Sequence, residues 1–391
     1  MSPSISPVDP GWPDCHDQIS HKKLSIRLDS QEGKIAMGQM REAWIAKRNA
    51  ILASPRFQYW AALLPFSRPI VRYKAGAMFN IVTGFVYSQV LAACIKTGLL
   101  EMLRVEAVDA ITFGKRADLP TEGALRLLKA AASLDLTEDL GDGRFALGAQ
   151  GAALLGNSGI GAMIMHHQLL YADLADPLAL LRRGRGKLAD YWTYGGASAE
   201  VSRDYSALMA ATQPMIAEQV LLGYNFAKHR HILDVGGGEG AFLDAVHARH
   251  PSLKRTLFDL PAVAARVPAK DGLGVVGGSF FDDPLPRGAD IVTLIRILHD
   301  HDDAPAQALL GAIAAALARG DTLLISEPMA DTPGARPMGE AYFGFYLHAM
   351  GSGRPRTSSE IGAMLKTAGF AKWRTVGTQL PLITRIIVAT R

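Results

Sequence analysis

The sequence predicts an α/β protein in which a parallel sheet carries helices on both faces and follows a mainly helical N-terminal part. Three observations predict this fold. From His231 onward, short apolar runs alternate with helical patterns. The first of these runs leads into a glycine-rich loop and then a helix. Before residue 230, apolar residues recur mostly at helical spacing.

Composition limits the classes of protein to which this chain can belong. Its 391 residues exceed one ordinary domain, and 49% of them are hydrophobic, which excludes a disordered chain. The formal net charge of +4 is small, and we interpret the basic residues as dispersed along the chain. The charge therefore does not indicate a dedicated nucleic-acid binder. Two cysteines, Cys15 and Cys94, make neither a disulfide framework nor a four-cysteine zinc site, which fits a reducing compartment.

Residues 1–72 are predicted to form an N-terminal extension. Residues 1 to about 35 are polar and contain proline, so they are expected to be flexible. Residues from about 36 to 72 look helical, with breaks at Pro65 and Pro69. The first residues lack the basic and apolar regions of a signal peptide, so we expect a cytoplasmic protein.

The stretch Ala75–Ile95 carries no charge and is long enough to span a bilayer. It also contains polar residues, among them Asn80 and Gln89, which a lipid-facing helix avoids. We therefore expect this helix to be buried between two subunits of a homodimer rather than to lie in lipid.

Residues 73–190 are predicted to form a small helical, winged-helix-like domain used for dimerisation. An amphipathic helix begins near Thr121, which is expected to be its N-cap. A strand-like run at 134–138, a glycine-rich turn at 141–144 and a second strand follow. The helix offers only Arg126 and Lys129 to a nucleic acid, so no DNA binding is expected.

A basic cluster follows at Arg182, Arg183, Arg185 and Lys187. Its simplest interpretation is a solvated loop. Contact with anionic lipid headgroups is the alternative.

The strongest motif lies at the start of the third predicted domain, residues 191–391. An apolar strand enters a loop with glycines at 236, 237, 238 and 240, and a helix begins at about Ala241. Glycines allow close approach of a ligand to the backbone, and the helix start offers free N–H groups. A second strand ends at Asp259, where a carboxylate can accept hydrogen bonds from both ribose hydroxyls of a nucleoside.

This loop also fits a dinucleotide fingerprint at 236, 238 and 241, and by itself that signal is weak. Two features favour S-adenosylmethionine over NAD. Asp234 lies inside the strand end, where it can bind a positively charged amino-acid portion. The loop also lies in the middle of the chain, after a helical domain.

The catalytic candidates follow two later strands. One strand, about 289–295, leads to His299, and another, about 321–326, ends at Glu327. Both residues lie beyond carboxyl ends of strands, where α/β sheets bind ligands. A histidine there is a candidate general base whose ring a nearby acid can orient. Two alternatives stay open: a metal site in the run His299–Asp302, for which no third, distant ligand group is evident, or a helix-capping role for His299.

The sequence resembles the plant-type small-molecule O-methyltransferases that use S-adenosylmethionine. The resemblance covers roughly residues 75–391. It rests on six segments, in this order: Asp234–Gly240, Phe258–Pro261, Gly278–Phe281, Arg296–Asp300, Ser326–Pro328 and Arg356–Thr357. It implies a Rossmann-like class I methyltransferase domain after a winged-helix-like dimerisation domain, and a sheet that closes with an antiparallel hairpin at about 371–377 and 382–390.

The resemblance also implies roles for residues that match the family's motifs. The implied cofactor contacts are Gly236 and Gly238 at the methionine portion, Asp259 at the ribose, Ser279 and Phe280 at the adenine, and Arg296. The implied residues at the acceptor are His299 as base, Asp300 as an acid on the substrate side, Glu327 as an acid bracketing the histidine, and Tyr205 and Met209 in the pocket. No metal is implied.

Two departures from the family pattern affect these roles. Ser279 stands where the family often has an acid facing the adenine, and it can make only a weaker hydrogen bond. Pro355 stands where the family has a second acid bracketing the histidine. We therefore expect His299 to rely on Glu327 alone.

Finer details resemble one branch, the bacterial hydroxyneurosporene (demethylspheroidene) O-methyltransferases of carotenoid synthesis. These details are the segments Arg56–Trp60, Gly84–Gln89, Leu298–Asp303 and Gly353–Thr357. The branch methylates a tertiary hydroxyl at the end of a long polyene, beside the membrane that holds this substrate. The alternatives are a phenol or polyketide acceptor, or a winged-helix regulator that senses a nucleoside ligand.

An aromatic stripe in the segment Met338–Met350 is consistent with an apolar substrate but does not establish one. Such a stripe forms either a core face or the wall of a pocket, and a pocket of this kind suits a polyene. The candidate pocket residues on it are Tyr342, Phe343 and Tyr346.

Overall fold

The computed structural model describes residues 31–191 and 199–391, with side chains described for residues 35–157, 159–190 and 208–391. It contains two compact units, residues 1–86 and 87–391. The predicted flexibility of residues 1–30 lies outside the described residues. The predicted division into domains 1–72, 73–190 and 191–391 stays a prediction.

The first unit is helical. Its elements are α1 (Gln31–Ala53), α2 (Pro55–Leu63) and the first part of α3 (Arg68–Lys96). Ser54 caps α2, because its side chain accepts a hydrogen bond from the Phe57 N–H. The prediction of a helix break at Pro69 is wrong: Pro69 lies in the first turn of α3, where its missing N–H costs no hydrogen bond. Among the described helices, α3 alone is long and apolar enough to cross a membrane, by length and composition only.

The second unit begins with short helices and a small antiparallel sheet. In chain order these are α4 (Leu99–Val105), β1 (Val108–Asp109), α5 (Ala110–Ala117), α6 (Thr121–Ala132), β2 (Thr137–Asp139) and β3 (Arg144–Leu147), with strand order β1-β3-β2. Helix, strand, turn and strand follow in the predicted order. Thr121 is not the N-cap of α6: that position is Pro120, and Thr121 is the first helical residue.

A run of helices leads to the large sheet. These helices are α7 (Ala149–Leu155), α8 (Ser158–Leu174), α9 (Pro177–Arg183), α10 (Leu188–Tyr191) and α11 (Ala199–Gly223). Asp173 at the end of α8 accepts hydrogen bonds from the N–H groups of Lys187 and Leu188. It therefore fixes the connection from α9 to α10, which contains Arg185 and Lys187 of the basic cluster, whereas Arg182 and Arg183 belong to α9.

The large sheet has seven strands in the order β6-β5-β4-β7-β8-β10-β9. The strands of this sheet and the helices that connect them are, in chain order, β4 (His231–Val235), α12 (Ala241–Arg249), β5 (Lys254–Asp259), α13 (Pro261–Ala264), β6 (Leu273–Gly277), β7 (Ile291–Ile295), α14 (Asp303–Ala316), β8 (Thr322–Glu327), α15 (Gly344–Met350), α16 (Ser358–Thr367), β9 (Lys372–Val376) and β10 (Arg385–Thr390). Strands β4 to β8 are parallel, and β10 runs antiparallel to both β8 and β9. The closing hairpin is confirmed.

Chain order positions the functional site. From β4 the chain adds β5 and β6 on one side and then returns to place β7 on the other side of β4. A crevice for ligands forms at the carboxyl ends of the strands where the order reverses, here β4 and β7. Buried apolar side chains cover both faces of the sheet, so the strand ends that line the crevice are held rigidly.

Candidate active site

The glycine loop joins β4 to α12 at the crevice. Gly236, Gly238 and Gly240 all have positive φ, a backbone conformation that strains other residue types. A Cβ atom on Gly238 would meet no heavy atom within 4 Å. The loop backbone therefore borders open space at Gly238, as close approach of a ligand requires.

Asp234 lies under this loop, at the carboxyl end of β4. Its Oδ1 accepts a hydrogen bond from Thr293 Oγ1 on the neighbouring strand β7 at 2.6 Å. Its Oδ2 is buried and has no hydrogen-bond partner among the described residues. Burial raises the pKa of this carboxyl to about 7, against the lowering effect of the Thr293 hydrogen bond. An unpaired buried carboxylate oxygen is well suited to a cationic group of a ligand.

Asp259 connects the end of β5 to the glycine loop. Its two carboxylate oxygens accept hydrogen bonds from the N–H groups of Gly238 and Leu260, each at 2.7 Å. Burial raises the pKa of this carboxyl above its ordinary value, although these two hydrogen bonds oppose the shift. Asp259 thus lies at the predicted ribose position and also holds the loop.

Ser279 and Phe280 follow β6, on the same edge of the sheet. Ser279 Oγ donates to Asp282 Oδ2 at 2.8 Å, and the Ser279 N–H donates to Asp283 at 2.8 Å. Phe280 packs against Phe281 and the ring of His301. A carboxylate three residues later, that of Asp282, is therefore hydrogen-bonded to the serine that stands in place of the acid.

Together, these loops fit S-adenosylmethionine. The unpaired oxygen of Asp234, the open space beside Gly238 and the carboxylate of Asp259 follow adjacent strands β4 and β5 in the order that a nucleoside with an amino-acid tail requires. The predicted contacts of individual residues with this cofactor stay predictions.

Arg296 follows β7 and has a positive φ of 58°, a strained conformation for a residue with a side chain. Its guanidinium donates to Thr212 Oγ1 at 2.8 Å, to Gln213 Oε1 at 2.6 Å and to the carbonyl oxygen of Met209 at 3.2 Å. It therefore ties the carboxyl end of β7 to helix α11, which carries the predicted pocket residue Met209. Tyr205 is on the same helix, but its side chain lies outside the described residues.

His299 lies in a short 3₁₀ turn, Leu298–Asp300, directly after β7. Its Nδ1 is 3.4 Å from Glu327 Oε2, and the same oxygen accepts a hydrogen bond from the His299 backbone N–H at 3.1 Å. Its Nε2 is 3.1 Å from Asp300 Oδ1. All three side chains are buried. The expectation that His299 relies on Glu327 alone is wrong, because the tight turn brings the next residue's carboxylate back to the imidazole.

The two acids decide the charge of His299. Burial alone lowers the pKa of the imidazole, but the charges of Asp300 and Glu327 outweigh burial and raise it above its ordinary value. Burial also raises the pKa of Asp300, opposed by His299. Glu327 Oε1 is buried and has no hydrogen-bond partner among the described residues. The two carboxylates therefore stabilise the protonated form of the histidine.

Arg356 fixes the turn that carries His299, a role that the sequence analysis missed. Its fully buried guanidinium donates to the carbonyl oxygens of Leu298 and His301 at 2.9 and 2.8 Å and to Asp303 at 2.7 Å. Gly353 approaches the same turn so closely that a Cβ atom would lie 2.2 Å from the carbonyl oxygen of His299. The segment 353–356 therefore clamps the turn that carries His299.

The predicted aromatic residues lie beside this turn. Pro337–Phe343 forms a π-helix that continues into α15. The Phe343 ring packs edge-on to the His299 ring, with 6.1 Å between the ring centroids. Tyr346 belongs to a buried cluster with residues of α8, α9 and α10, so this end of the stripe is core. The stripe thus divides into a part beside the catalytic turn and a part in the core.

Two histidines of α8, His166 and His167, were missed by the sequence analysis. His166 Nε2 is 2.9 Å from the Tyr346 hydroxyl, and His167 Nε2 is 2.6 Å from the Tyr342 hydroxyl. Burial lowers the pKa of His166 to about 4 and also lowers that of His167. Both rings are therefore neutral at pH 7. Adjacent histidines in an otherwise uncharged run were the signal that could have found them.

The alternative of a metal site at 299–302 finds no support in the geometry of the described residues, where no group of three His, Cys, Asp or Glu side chains is arranged to hold an ion. His301 instead packs edge-on against Phe280 and Phe281. Burial lowers the pKa of His301 to about 4.

Comparison with known proteins decides the family. A model of the O-methyltransferase domain matches residues 171–371. The chain is 39% identical over 356 residues to the demethylspheroidene O-methyltransferase of Cereibacter sphaeroides, covering 87% of this chain and 93% of that relative. The chain belongs to the O-methyltransferase family. This O-methyltransferase is also 40% identical over 339 residues to the enzyme of the same name from Rhodobacter capsulatus, covering 84% of this chain and 85% of that one.

A solved structure agrees with the family. The SAH-bound form of a methyltransferase of calicheamicin biosynthesis matches this O-methyltransferase with a TM-score of 0.69 at 25% identity, covering 81% of this chain and 98% of that chain. The predicted Rossmann-like fold, the resemblance to O-methyltransferases and the predicted S-adenosylmethionine-dependent activity are confirmed. A winged-helix regulator without enzymatic activity is excluded as the function.

The clamp leads to a prediction about stability. Arg356→Ala removes the charged donor of the carbonyl oxygens of Leu298 and His301 and leaves a cavity where a fully buried side chain stood, so the free energy of unfolding should fall by about 3 kcal/mol. Urea denaturation monitored by circular dichroism measures it. The control is Arg354→Ala, because Arg354 pairs with the same Asp303 but is 41% exposed; its loss should cost less than about 1 kcal/mol. Equal losses in both variants would contradict the clamp.

Proposed function

We propose that this enzyme transfers a methyl group from S-adenosylmethionine to the tertiary hydroxyl of a hydroxycarotenoid, giving a methoxy carotenoid. The observation that carries the proposal is the buried His299, held between two carboxylates at the crevice beside an aromatic wall. The substrate class is supported by the two relatives at about 40% identity, both named demethylspheroidene O-methyltransferases.

His299 acts as the general base in this proposal. When bound, S-adenosylmethionine supplies an activated methyl group. The acceptor hydroxyl replaces Asp300 at Nε2 of His299, and the imidazole takes its proton there. Glu327 at Nδ1 orients the ring and stabilises the imidazolium that results, while Asp300 accepts a hydrogen bond on the substrate side.

A tertiary alcohol makes such a base necessary. Phenols ionise readily near neutral pH when a site favours the anion, whereas aliphatic alcohols stay protonated. Two carboxylates that raise the pKa of the same histidine increase its basicity. This arrangement therefore suits an aliphatic alcohol, which is a weaker acid than a phenol.

The wall of the proposed pocket is uncharged. His167 is neutral at pH 7 and hydrogen-bonded to Tyr342, and the pair of neutral His166 with Tyr346 belongs to the adjoining core. Phe343 presents its ring to His299. A wall of paired polar groups and aromatic rings accepts an apolar polyene without burying an unpaired charge.

Assembly as a homodimer is part of the proposal. In the single chain, the uncharged part of α3 exposes large apolar side chains. They are Met78, Phe79, Ile81, Val82 and Phe85. A second copy of the chain covers them in the proposed dimer, and the enzyme works in the cytoplasm at the periphery of the membrane that holds its substrate.

The acceptor class is tested with labelled S-adenosylmethionine and separate panels of hydroxycarotenoids and phenols. The proposal expects label in a hydroxycarotenoid and little label in a phenol or a phenolic polyketide. Preferential labelling of a phenol would assign the enzyme to the other acceptor class.

The cofactor site gives the next prediction. Asp259→Asn should weaken S-adenosylmethionine binding by about 2–4 kcal/mol, because it removes the charge from hydrogen bonds to the ribose. Titration calorimetry measures the affinity. Asp271→Asn, at an exposed position before β6 and thus at the opposite edge of the sheet, serves as the control and should bind as the wild type does. Unchanged affinity of Asp259→Asn would remove this residue from the cofactor site.

The base gives a third prediction. His299→Ala should reduce turnover of a hydroxycarotenoid by about 10²–10⁴-fold while cofactor affinity stays near that of the wild type. Glu327→Gln should cause a smaller loss, since it orients the ring without taking the proton. A phenol of similar shape should depend much less on His299, because it can ionise unaided. Equal rates of His299→Ala and wild type on the alcohol would leave alignment as the main source of catalysis.

The pH dependence gives a fourth prediction. Only neutral His299 can act as a base, so kcat/KM should fall as pH decreases through its raised pKa, above the ordinary 6.5. Asp300→Asn removes a charge that raises this pKa, so the acidic limb should move to lower pH. The comparison is with Glu340→Gln, an exposed acid on the π-helix, which should leave the midpoint unchanged. If Asp300→Asn leaves the acidic limb of the pH profile unmoved, a group other than His299 causes that limb.

A further inference from the structure

The positive charge of the chain is concentrated in one short segment, which we call the basic–aromatic segment, residues 35–74. It contains seven Lys or Arg residues and one acid, Glu42, and so carries a net charge of +6, whereas residues 87–391 contain 30 basic and 31 acidic residues and carry −1. The interpretation of the chain's charge as dispersed is therefore wrong. A +4 total conceals a strongly basic segment joined to a nearly neutral enzyme.

These basic side chains are free to meet an external partner. All seven are exposed, and none forms an ion pair with a described residue: Arg41, Lys47, Arg48, Arg56, Arg68, Arg72 and Lys74. Some exposed arginines of the second unit are paired instead: Arg116 pairs with Glu106, and Arg144 pairs with Asp142. Within the part of the chain that the structure describes, no ion pair neutralises the charge of the segment.

The same segment exposes an unusual number of aromatic side chains. Six are solvent-exposed, up to 77% for Phe66: Trp44, Phe57, Tyr59, Trp60, Phe66 and Tyr73. Aliphatic side chains lie among them, including Met40, Ile51 and Leu63. The guanidinium of Arg48 stands 5.1 Å over the Trp44 ring, so basic and aromatic groups are interleaved rather than separated.

We infer that the basic–aromatic segment is the surface by which this enzyme binds an anionic phospholipid bilayer, lying in the headgroup region without spanning it. Tryptophan and tyrosine prefer that region, where an apolar ring and a polar group are both satisfied. Lysine and arginine contact lipid phosphates while their stems cover apolar surface. Helices of this composition bury their apolar side chains at the boundary between headgroups and acyl chains.

Charge decides between this occupant and the other candidates. A second copy of the chain would bring one +6 segment against another, which is repulsive, whereas the uncharged part of α3 has no such obstacle to pairing. The basic cluster at 182–187 is a weaker lipid contact than the segment, because it has no exposed aromatic residue and Arg185 is paired with Asp190. A single-stranded nucleic acid would use the charge and some rings but would leave the exposed aliphatic side chains without an apolar partner.

The test uses the full chain without cofactor or acceptor, so that its result does not depend on the proposed reaction. Cosedimentation with phosphatidylcholine vesicles is compared with cosedimentation with vesicles that also contain phosphatidylglycerol. Binding should require the anionic lipid and should weaken as salt is added, because ions screen exposed charges. Trp44→Ser with Trp60→Ser should also reduce binding to the anionic vesicles, since the rings lose their apolar contact.

Two double variants with the same change in charge locate the surface. Arg41→Glu with Lys47→Glu should lower the partition coefficient at least about tenfold, since each basic residue at an anionic surface contributes several-fold. Arg182→Glu with Arg183→Glu is the matched control, on exposed side chains of α9, and should change binding less than about twofold. Circular dichroism confirms that both variants are folded.

Four results would overturn the inference. The first is equal binding to neutral and anionic vesicles, and the second is equal loss of binding in the two double variants. The third is solubility of the protein only in detergent, which a membrane-spanning α3 would require. The fourth is tighter binding to single-stranded RNA than to anionic vesicles.

Discussion

A buried arginine holds the turn that carries His299 in place. Arg356 donates hydrogen bonds to two carbonyl oxygens of the turn and to Asp303, the first residue of α14. Its charge can be buried because Asp303 compensates it and the carbonyl dipoles point at it. The distances from His299 to Glu327 and Asp300 are set only if the turn is fixed, so the chemistry of the site depends on a residue about sixty positions later in the chain.

Sequence alone predicted the central strands of the large sheet because each is a buried apolar run that ends in a chemically distinctive residue. Asp234, Asp259 and Glu327 all mark such ends. Strand β6 was missed, because Leu273–Gly277 is an exposed edge strand with two glycines and has neither a continuous apolar run nor alternation. The break assigned to Pro69 was wrong for a local reason: proline ends a helix in its interior but is accepted in its first turn.

The sequence predicted the candidate site residues that follow directly from strand ends. It did not predict the contacts between residues that are brought together only by the fold. The candidates His299 and Glu327 followed from strand ends and meet as expected. That Asp300 turns back to the imidazole depends on the geometry of a 3₁₀ turn, which no spacing rule gives. The pairing of His166 and His167 with tyrosines 180 and 175 residues away depends on how α8 packs on α15 and the π-helix.

The orphan oxygen of Asp234 has a consequence for the thermodynamics of ligand uptake. With a pKa of about 7, this carboxyl is partly protonated at neutral pH in the free protein. A cationic group that arrives beside it favours the ionised form, so uptake of the ligand should release a fraction of a proton to the solvent. The heat of binding should then vary with the ionisation enthalpy of the buffer, and affinity should increase as pH rises through neutrality. The carboxyl at the end of β4 should thus couple ligand affinity to the pH of the solvent.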